Sequence, residues 1–312
     1  MTITVEKEIR VDKFISEYLS ESRNQVEKLI ADGNISINGK ISKKRGLKLK
    51  IDDVINIVFP EKESVDSEYS VNFDVPVLYE DDYLLVVNKP AGVVVHSAPS
   101  VKEATLVDWL KNRGVSLSTL NGEERHGIVH RLDKWTTGAM VIAKDNQTHQ
   151  KLSEQLQDRS MGRYYLAIVN QPLKESTVID KPIARNPKDR LKMAIVDGGK
   201  SAKTEFRKFK ESLNSREELL FCKLFTGRTH QIRVHLQALH RYILGDSLYS
   251  FKSKKDNIES IFLHAYILYL IHPETGKKLQ VEAPLYSPMR DYIKSNFGME
   301  LKYEDIQEIY NL

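Results

Sequence analysis

Asp133 is the residue of this sequence with the clearest potential for chemistry. It stands in residues 126–138, a segment rich in Thr and Gly that comes directly before the apolar run 139–144. That order predicts a loop supported by a sheet, which is where reactive side chains usually lie. A carboxylate there can attack carbon, stabilise a developing cation or abstract a proton. The competing interpretation is a turn aspartate that bonds only to nearby backbone, and for a lone Asp this is the commoner case.

A second polar segment, residues 227–235, carries two arginines. It reads Gly-Arg-Thr-His-Gln-Ile-Arg-Val-His, follows a predicted strand and opens a predicted helix. Arg228 and Arg233 are five positions apart, so they need not share a helix face. One can bind phosphate while the other points inward. A cationic helix start that is merely exposed to water explains the pattern equally well.

Two adjacent tyrosines stand in a predicted strand at residues 164–169. Neighbouring residues of a strand face opposite sides of the sheet, so Tyr164 and Tyr165 diverge. One of them can pack in the core while the other faces a cleft. The alternative is that both simply pack.

The nine histidines of the chain form no recognisable metal motif. His126 and His130 lack the glutamate of an H-E-x-x-H helix, and His230 and His235 have no obvious carboxylate or cysteine companions in sequence. The sequence also lacks a Walker-type phosphate loop and a dinucleotide fingerprint. We therefore expect neither a metal nor a cofactor.

The elements that must position these residues predict a mixed α+β domain from about residue 76 to residue 296. Apolar runs predict strands at residues 83–88, 139–144, 164–169, 219–225 and 266–271. Helical periodicity predicts helices at residues 105–112, 147–157, 231–238 and 288–296.

The first sixty residues predict a small separate unit of two helices and a short sheet. Ser22 is the expected N-cap of the second helix, Gln25 completes a capping box, and Gly33 ends the helix. Asn38 and Gly39 predict a tight hairpin, because both residues accept positive φ.

A one-sign stretch of charge follows that hairpin. Six of the eleven residues 40–50 are basic and none is acidic, namely Lys40, Lys43, Lys44, Arg45, Lys48 and Lys50. Arg23 and Lys28 add charge from the second helix. A solvated face is the usual fate of such a run, whereas a compact helix pair with a cationic patch favours phosphate binding.

The composition limits the classes of protein that the chain can represent. It has 312 residues, 41% of them hydrophobic, and a formal net charge of +4, which permits nucleic-acid binding without requiring it. Cys222 is the only cysteine, so we expect no intrachain disulfide and a reducing compartment. No apolar run approaches eighteen residues and residues 1–10 lack a signal-peptide pattern. We expect a cytoplasmic protein that does not cross a membrane.

The N-terminal unit resembles the alpha-L RNA-binding domain. The resemblance rests on Arg10-Val11-Asp12-Lys13-Phe14, Ser22-Arg23, residues 33–40 and Asp52-Asp53-Val54-Ile55. It implies that Arg23, Lys28, Lys40, Lys43, Lys44 and Arg45 bind RNA. The expected organisation is therefore an RNA-binding domain at residues 1–60, an acidic linker at 61–75, a catalytic domain at 76–296 and a tail at 297–312, with a short helix at 304–312.

The rest of the chain resembles the RluA/RluD family of pseudouridine synthases. His130-Arg131-Leu132-Asp133 with Thr136-Thr137-Gly138 matches the family's catalytic motif. Tyr165 and Arg233 fall on its active-site tyrosine and arginine. Further matches are Val87-Asn88-Lys89-Pro90-Ala91-Gly92, Gly245-Asp246, Leu263-His264-Ala265 and Ala283-Pro284-Leu285, so the resemblance spans nearly the whole chain. Trp135 departs from the acid common in the family, and it either alters which RNA loop fits or merely packs.

The resemblance implies a mixed, mostly antiparallel central sheet flanked by helices and a cofactor-free isomerisation of uridine to pseudouridine. Asp133 is the essential carboxylate, as nucleophile or base; Arg233 pairs with it; Tyr165 stacks on the uracil. Arg131 and Arg228 are expected to contact RNA.

The expected substrate is large-subunit ribosomal RNA, possibly inside a pre-ribosomal particle, acted on by a monomer. The alternatives are a tRNA pseudouridine synthase, a non-catalytic ribosome-assembly factor and a glycosidase, which would need a second acid.

Overall fold

The chain folds into two units, a small N-terminal one and a larger one built on a central sheet. The computed structural model describes residues 2–19, 23–44, 46–58, 69–98, 100–120, 126–250, 260–302 and 304–305. In this part of the chain the larger unit holds a nine-stranded sheet, and most of its strand pairs are antiparallel. This confirms the predicted α+β fold.

The N-terminal unit packs two helices against short strands. Its elements are β1 (Thr2–Thr4), β2 (Ile9–Arg10), α1 (Val11–Leu19), α2 (Arg23–Ala31), β3 (Ile35–Ile37), β4 (Lys40–Ile41), β5 (Lys48–Leu49) and β6 (Val54–Ile57). The turn between β3 and β4 has φ of 50° at Asn38 and 79° at Gly39, so the predicted hairpin is confirmed. The Asn38 side chain also closes the unit, since it donates to Asp53 and accepts from the Val54 amide, both at 2.8 Å. Ser22, the predicted N-cap, lies outside the described residues.

The central sheet contains the strands that frame the predicted site. They are β7 (Val77–Glu80), β8 (Leu84–Lys89), β9 (Thr137–Ala143), β10 (Gly162–Val169), β11 (Thr177–Asp180), β14 (Lys203–Glu211), β15 (Glu218–Leu224), β16 (Leu263–Ile271) and β17 (Lys278–Glu282). The order is β11-β14-β15-β10-β16-β9-β8-β7, and β17 pairs with the far end of β16. The pair of β16 and β9 is parallel. A separate hairpin joins β12 (Ile183–Arg185) to β13 (Met193–Ile195).

Alternating side chains give this sheet two buried faces. Leu85 and Val87 of β8 belong to one hydrophobic core, whereas Leu84 and Val86 belong to the other. The helices are α3 (Leu106–Asn112), α4 (Asn146–Asp158), α5 (Gln231–Ala238) and α6 (Ser287–Phe297). α3, α5 and α6 contribute Leu106, Ile232 and Ile293 to the first core. α4 contributes Leu152 to the second core. Helices therefore flank the sheet on both faces, as predicted.

The predicted elements are present, with ends shifted by up to three residues. The strand predicted from residue 266 begins at Leu263, because residues 263–265 pair with β10 and also meet β9. Strands β7, β11, β12, β13, β14 and β17 were not predicted. β14 carries charged side chains at alternate positions, as in Lys203, Glu205 and Arg207, so it has no continuous apolar run that would identify it.

Within the described residues, no helix is both long enough and apolar enough to cross a bilayer. The predicted helix at 304–312 lies almost wholly outside the described residues, which include only positions 304 and 305 of it.

Candidate active site

Asp133 lies on the loop that leads into β9. Leu132 is 4% exposed and anchors the loop in the core, while Arg131 before it is exposed. The Asp133 side chain is 21% exposed, and its backbone carbonyl accepts a hydrogen bond from the Thr136 amide at 3.1 Å. The loop therefore holds the carboxylate at the edge of the core, within reach of a molecule in solution.

The buried ammonium group of Lys89 holds this loop in place through a hydrogen bond to its backbone. Lys89 ends β8 and is fully buried, and its Nζ donates to the carbonyls of Pro90 and Val93 at 2.8 Å and of Lys134 at 3.0 Å. Burial lowers the pKa of Lys89 to about 7, while the Asp133 carboxylate raises it. Three carbonyl acceptors satisfy the three protons of the ammonium form, so in that form the residue both tethers the loop and puts positive charge near Asp133.

The close approach of β9 to β16 explains the residue types at Thr137 and Gly138. Gly138 has φ of +114°, and a Cβ at that position would lie 2.3 Å from the carbonyl oxygen of Ala265. Only glycine permits β9 to approach β16 so closely. The hydroxyl of Thr137 also lies 2.7 Å from Nδ1 of His264, which locks the two strands together beside the loop.

Arg233 connects Asp133 to a second carboxylate. Its Nη1 donates to Asp133 Oδ2 at 3.2 Å, and its Nε and Nη2 donate to the two oxygens of Asp246 at 2.8 Å. The Asp246 side chain is only 1% exposed. The bidentate pair fixes the guanidinium plane, so one nitrogen is held facing Asp133. The guanidinium also lies 4.9 Å from the ring centroid of Tyr249.

Hydrogen bonds at the start of α5 fix the helix that carries Arg233 next to Asp133. The buried amide of Gln231 accepts from Thr226 Oγ1 at 2.7 Å and from the Arg228 amide at 3.0 Å, and it donates to the Lys203 carbonyl at 3.0 Å. His230 takes the left-handed conformation before the helix, with its Nε2 3.9 Å from Asp133 Oδ2. Burial lowers the pKa of His230, and Asp133 raises it.

Tyr165 is the tyrosine of the pair that lines the cleft. It is 4% exposed, and Arg163, two residues earlier on the same face of β10, lines the cleft with it. Tyr164 is not among the cleft-lining residues, and the ammonium of Lys223 lies 5.4 Å from its ring centroid. Burial raises the pKa of Tyr165, the Arg163 guanidinium lowers it, and Asp133 raises it.

Asp133, Tyr165 and Arg233 open into one cleft of about 450 Å³. Among the described residues, its lining holds the basic side chains Arg131, Arg159, Arg163, Lys223, Arg228 and Arg233, and Asp133 is its only acidic side chain. A cationic cleft around one carboxylate suits a polyanion that carries its reactive carbon to that carboxylate. It does not suit a glycosidase, because Asp246, the other nearby acid, is engaged by Arg233.

The remaining residues expected to bind RNA fall in two places. Arg131 and Arg228 are exposed at the cleft, where the Nε of Arg228 donates to the Ser201 carbonyl at 2.9 Å. Lys40, Lys43 and Lys44 are exposed on the N-terminal unit. Arg45 and the side chains of Arg23 and Lys28 lie outside what the structure describes.

Lys89 and Asp246 are the site residues to which the sequence assigned no role. Both stand in stretches that match the family, yet matching alone does not say what a residue touches. Lys89 stands at the end of the apolar strand β8, and this position indicates a buried, hydrogen-bonded ammonium group. No sequence pattern indicates that Asp246 pairs with Arg233. In the part of the chain that is described, no group of three His, Cys, Asp or Glu is placed to hold a metal.

Each of the two units matches the model of a known protein family. The family model described as RNA pseudouridylate synthase matches residues 83–238. The S4 domain model matches residues 9–55.

Relatives are similar over almost their full length. An uncharacterized RNA pseudouridine synthase of Helicobacter pylori (strain J99) is 45% identical over 306 residues, covering 96% of this chain and 93% of that protein. The ribosomal large subunit pseudouridine synthase D of Nitrosomonas europaea is 36% identical over 291 residues, covering 90% and 82%.

Two solved structures have a similar fold. Human RNA Pseudouridylate Synthase Domain Containing 1 has a TM-score of 0.61 at 23% identity, over 78% of this chain and 96% of that one. Human RNA Pseudouridylate Synthase Domain Containing 4 has a TM-score of 0.54 at 26% identity, over 70% and 91%.

Proposed function

The chain belongs to the RNA pseudouridylate synthase family and isomerises uridine to pseudouridine in RNA, and we propose that its substrate is large-subunit ribosomal RNA. The observation that carries the proposal is the similarity, over 90% of the chain, to a protein named for the ribosomal large subunit. The S4 domain and its exposed lysines support an RNA that is large enough to engage both units. The proposal includes a monomer acting in the cytoplasm.

We propose that Asp133 is the reacting carboxylate. The reaction breaks the N1–C1′ bond of uridine, turns the base and joins C5 to C1′; C5 loses a proton and N1 gains one. Asp133 then acts near C1′ as nucleophile or as base. Arg233, fixed by Asp246, donates to the Asp133 carboxylate and holds it in a partly enclosed site.

Tyr165 provides the surface for the uracil. Its buried ring lines the cleft that contains Asp133, so a base stacked on it brings C1′ toward the carboxylate. Its hydroxyl assists removal of the C5 proton; burial opposes this step by raising the pKa of Tyr165, and the Arg163 guanidinium favours it by lowering that pKa. The target uridine must leave its own stack to enter, which favours unpaired regions of RNA as substrate.

The test is pseudouridine mapping of rRNA and tRNA from a strain that lacks the gene. We expect the loss of one or a few sites in large-subunit rRNA, restored by the wild-type protein and not by Asp133→Asn. Loss of sites in tRNA alone would contradict the proposed substrate.

The purified Asp133→Asn protein separates chemistry from binding. We expect turnover to fall by about 10²- to 10⁴-fold with RNA affinity retained, because the carboxylate is lost while the cations remain. Asp82→Asn, which changes an exposed aspartate in the turn before β8, is the matched control and should keep wild-type turnover. Normal turnover of Asp133→Asn would refute the catalytic assignment.

A further inference from the structure

Three cationic side chains gather around the ring of Phe225, which follows β15 in the wall of the cleft. The Nζ atoms of Lys203 and Lys223 lie 5.5 and 5.4 Å from the ring centroid, and Cζ of Arg159 lies 5.9 Å from it. We call these four residues the Phe225 cluster. They come from the end of α4, the start of β14 and the end of β15, so the fold brings them together from distant parts of the chain.

The cluster carries three positive charges, and two acids stand beside it: Asp180 next to Lys203, and Glu205, which lies opposite Lys223 in the sheet and is already bound by Arg207 at 2.7 Å. Lys203 lies 3.8 Å from the Asp180 carboxylate, and both side chains are substantially exposed, at 40% and 61%. Within the described residues, neither Arg159 nor Lys223 is in an ion pair. Three cations around one ring repel each other, and the negative face of the ring only partly offsets that repulsion. An anion placed among them would remove it.

Three of the four residues of the cluster line the same cleft as the reacting carboxylate, and Lys203 lies just outside it. Arg159, Lys223 and Phe225 line the cleft together with Asp133 and Tyr165. The substrate is a polymer, so an RNA that delivers its uridine to Asp133 must pass its neighbouring backbone through the same opening. Phosphate groups are the anions that this backbone carries.

We propose that the Phe225 cluster binds a backbone phosphate of the RNA strand that flanks the target uridine. Arg159, Lys203 and Lys223 supply the positive charge, and Phe225 holds the three cations at one place. A stacked nucleobase suits the cluster less well, because cations already occupy the space around the ring. The proposal rests on the activity of this site on RNA, and it does not depend on which RNA is modified.

The experiment measures equilibrium binding of an RNA stem-loop with a single-stranded target loop by the full-length protein at several salt concentrations. Lys223→Gln and Arg159→Gln should each weaken binding several-fold at about 0.1 M salt. Each should also reduce the slope of log affinity against log salt, by up to about 0.7, the value for loss of one whole phosphate contact with a single strand. Phe225→Leu keeps the three charges but loses the ring that gathers them, so affinity should fall while the salt slope stays closer to that of the wild type.

Lys277→Gln is the matched control, because Lys277 is exposed in the turn between β16 and β17 and does not line the cleft. It should keep wild-type affinity and slope. If Lys223→Gln and Arg159→Gln bind with wild-type affinity and slope, or if Lys277→Gln weakens binding as much as they do, the proposed phosphate site is refuted. Because binding is measured directly, these outcomes are distinct from failure of the proposed function, which would appear as wild-type protein that modifies no large-subunit site.

Discussion

Lys89 illustrates how a single buried charge shapes the reactive loop. Lys89 is fully buried, and its ammonium group donates to two backbone carbonyls of the segment after β8 and to one carbonyl of the Asp133 loop. An isolated buried cation is costly, but one with every proton bonded can fix the backbone around it. The position of Asp133 therefore depends on Lys89, which is buried in the core.

Replacing Lys89 by methionine should damage both stability and turnover. The change keeps the side-chain length but leaves buried carbonyls without donors, and we expect the free energy of unfolding to fall by about 2–4 kcal/mol. Turnover should fall further than the folded fraction does, because the Asp133 loop loses its tether. Chemical denaturation and single-turnover kinetics measure the two effects.

Lys134→Met is the control for that change. Lys134 is on the same loop, but its ammonium group makes partly exposed contacts, an ion pair with Glu103 at 2.7 Å and a position 5.5 Å from the ring centroid of Trp135. Such pairs contribute about 0–1 kcal/mol, so this variant should be almost unaffected. Equal losses of stability and turnover in the two variants would show that the loop does not depend on the buried bonds of Lys89.

At the scale of elements, the strands that are continuously apolar were predictable and the strands rich in charged residues were not. Strands such as β9 and β10 are buried along their whole length and appear in sequence as continuous apolar runs. β14 carries six charged residues among its nine, and its identity depends on pairing with β11 and β15, which is a tertiary effect. The same limit applies to the site: a motif indicated Asp133 and Arg233, but only the fold brings Asp246 to Arg233.

His264 of β16 makes the sheet sensitive to acid. Its Nδ1 lies 2.7 Å from the Thr137 hydroxyl and its Nε2 3.0 Å from the Ala283 carbonyl, and burial lowers the pKa of the ring from 6.5 to about 4. Between these values the unfolded chain binds the proton and the folded chain does not. The free energy of unfolding should therefore fall as pH is lowered from 6.5 towards 4, by up to about 3 kcal/mol from this residue.

Denaturant titrations between pH 7.5 and pH 4.5 measure this dependence. His264→Asn should be less stable at pH 7.5, but its stability should change less with pH because the titrating group is gone. His240→Asn, at an exposed position whose φ of 54° asparagine tolerates, should keep the wild-type dependence. A wild-type pH dependence in His264→Asn would exclude this histidine as its source.

At the scale of the whole molecule, the two units have separate hydrophobic cores. The N-terminal core consists only of residues between 3 and 57, and the cores of the larger unit begin at residue 71. The segment before β7 belongs to the larger unit, because Val75 is buried in its core and Asp74 accepts a hydrogen bond from Trp109 at 3.2 Å. A truncation that leaves the cores of the larger unit intact can therefore remove residues up to 68.

Removing residues 1–68 should leave a folded catalytic unit that binds RNA more weakly. Loss of the cationic N-terminal surface should lower affinity and flatten its salt dependence by about 0.7–0.9 for each lost phosphate contact. Salt titrations of RNA binding, with a thermal melt to verify folding, measure this. The full-length protein with Lys40, Lys43 and Lys44 all changed to Gln is the companion variant, and unchanged affinity in both proteins would contradict an RNA-binding role for this unit.

The parallel pair of β9 and β16 determines when the site can exist during synthesis. β16 lies between β9 and β10 in the sheet, although both neighbours precede it in the chain by about a hundred residues or more. Asp133 and Tyr165 thus leave the ribosome long before the strand that sets the spacing between them. Between the emergence of Arg233 and that of residue 271, the nascent chain carries every proposed catalytic residue but lacks the strand that joins β9 to β10. The order of the strands should therefore keep this enzyme inactive until β16 has left the ribosome.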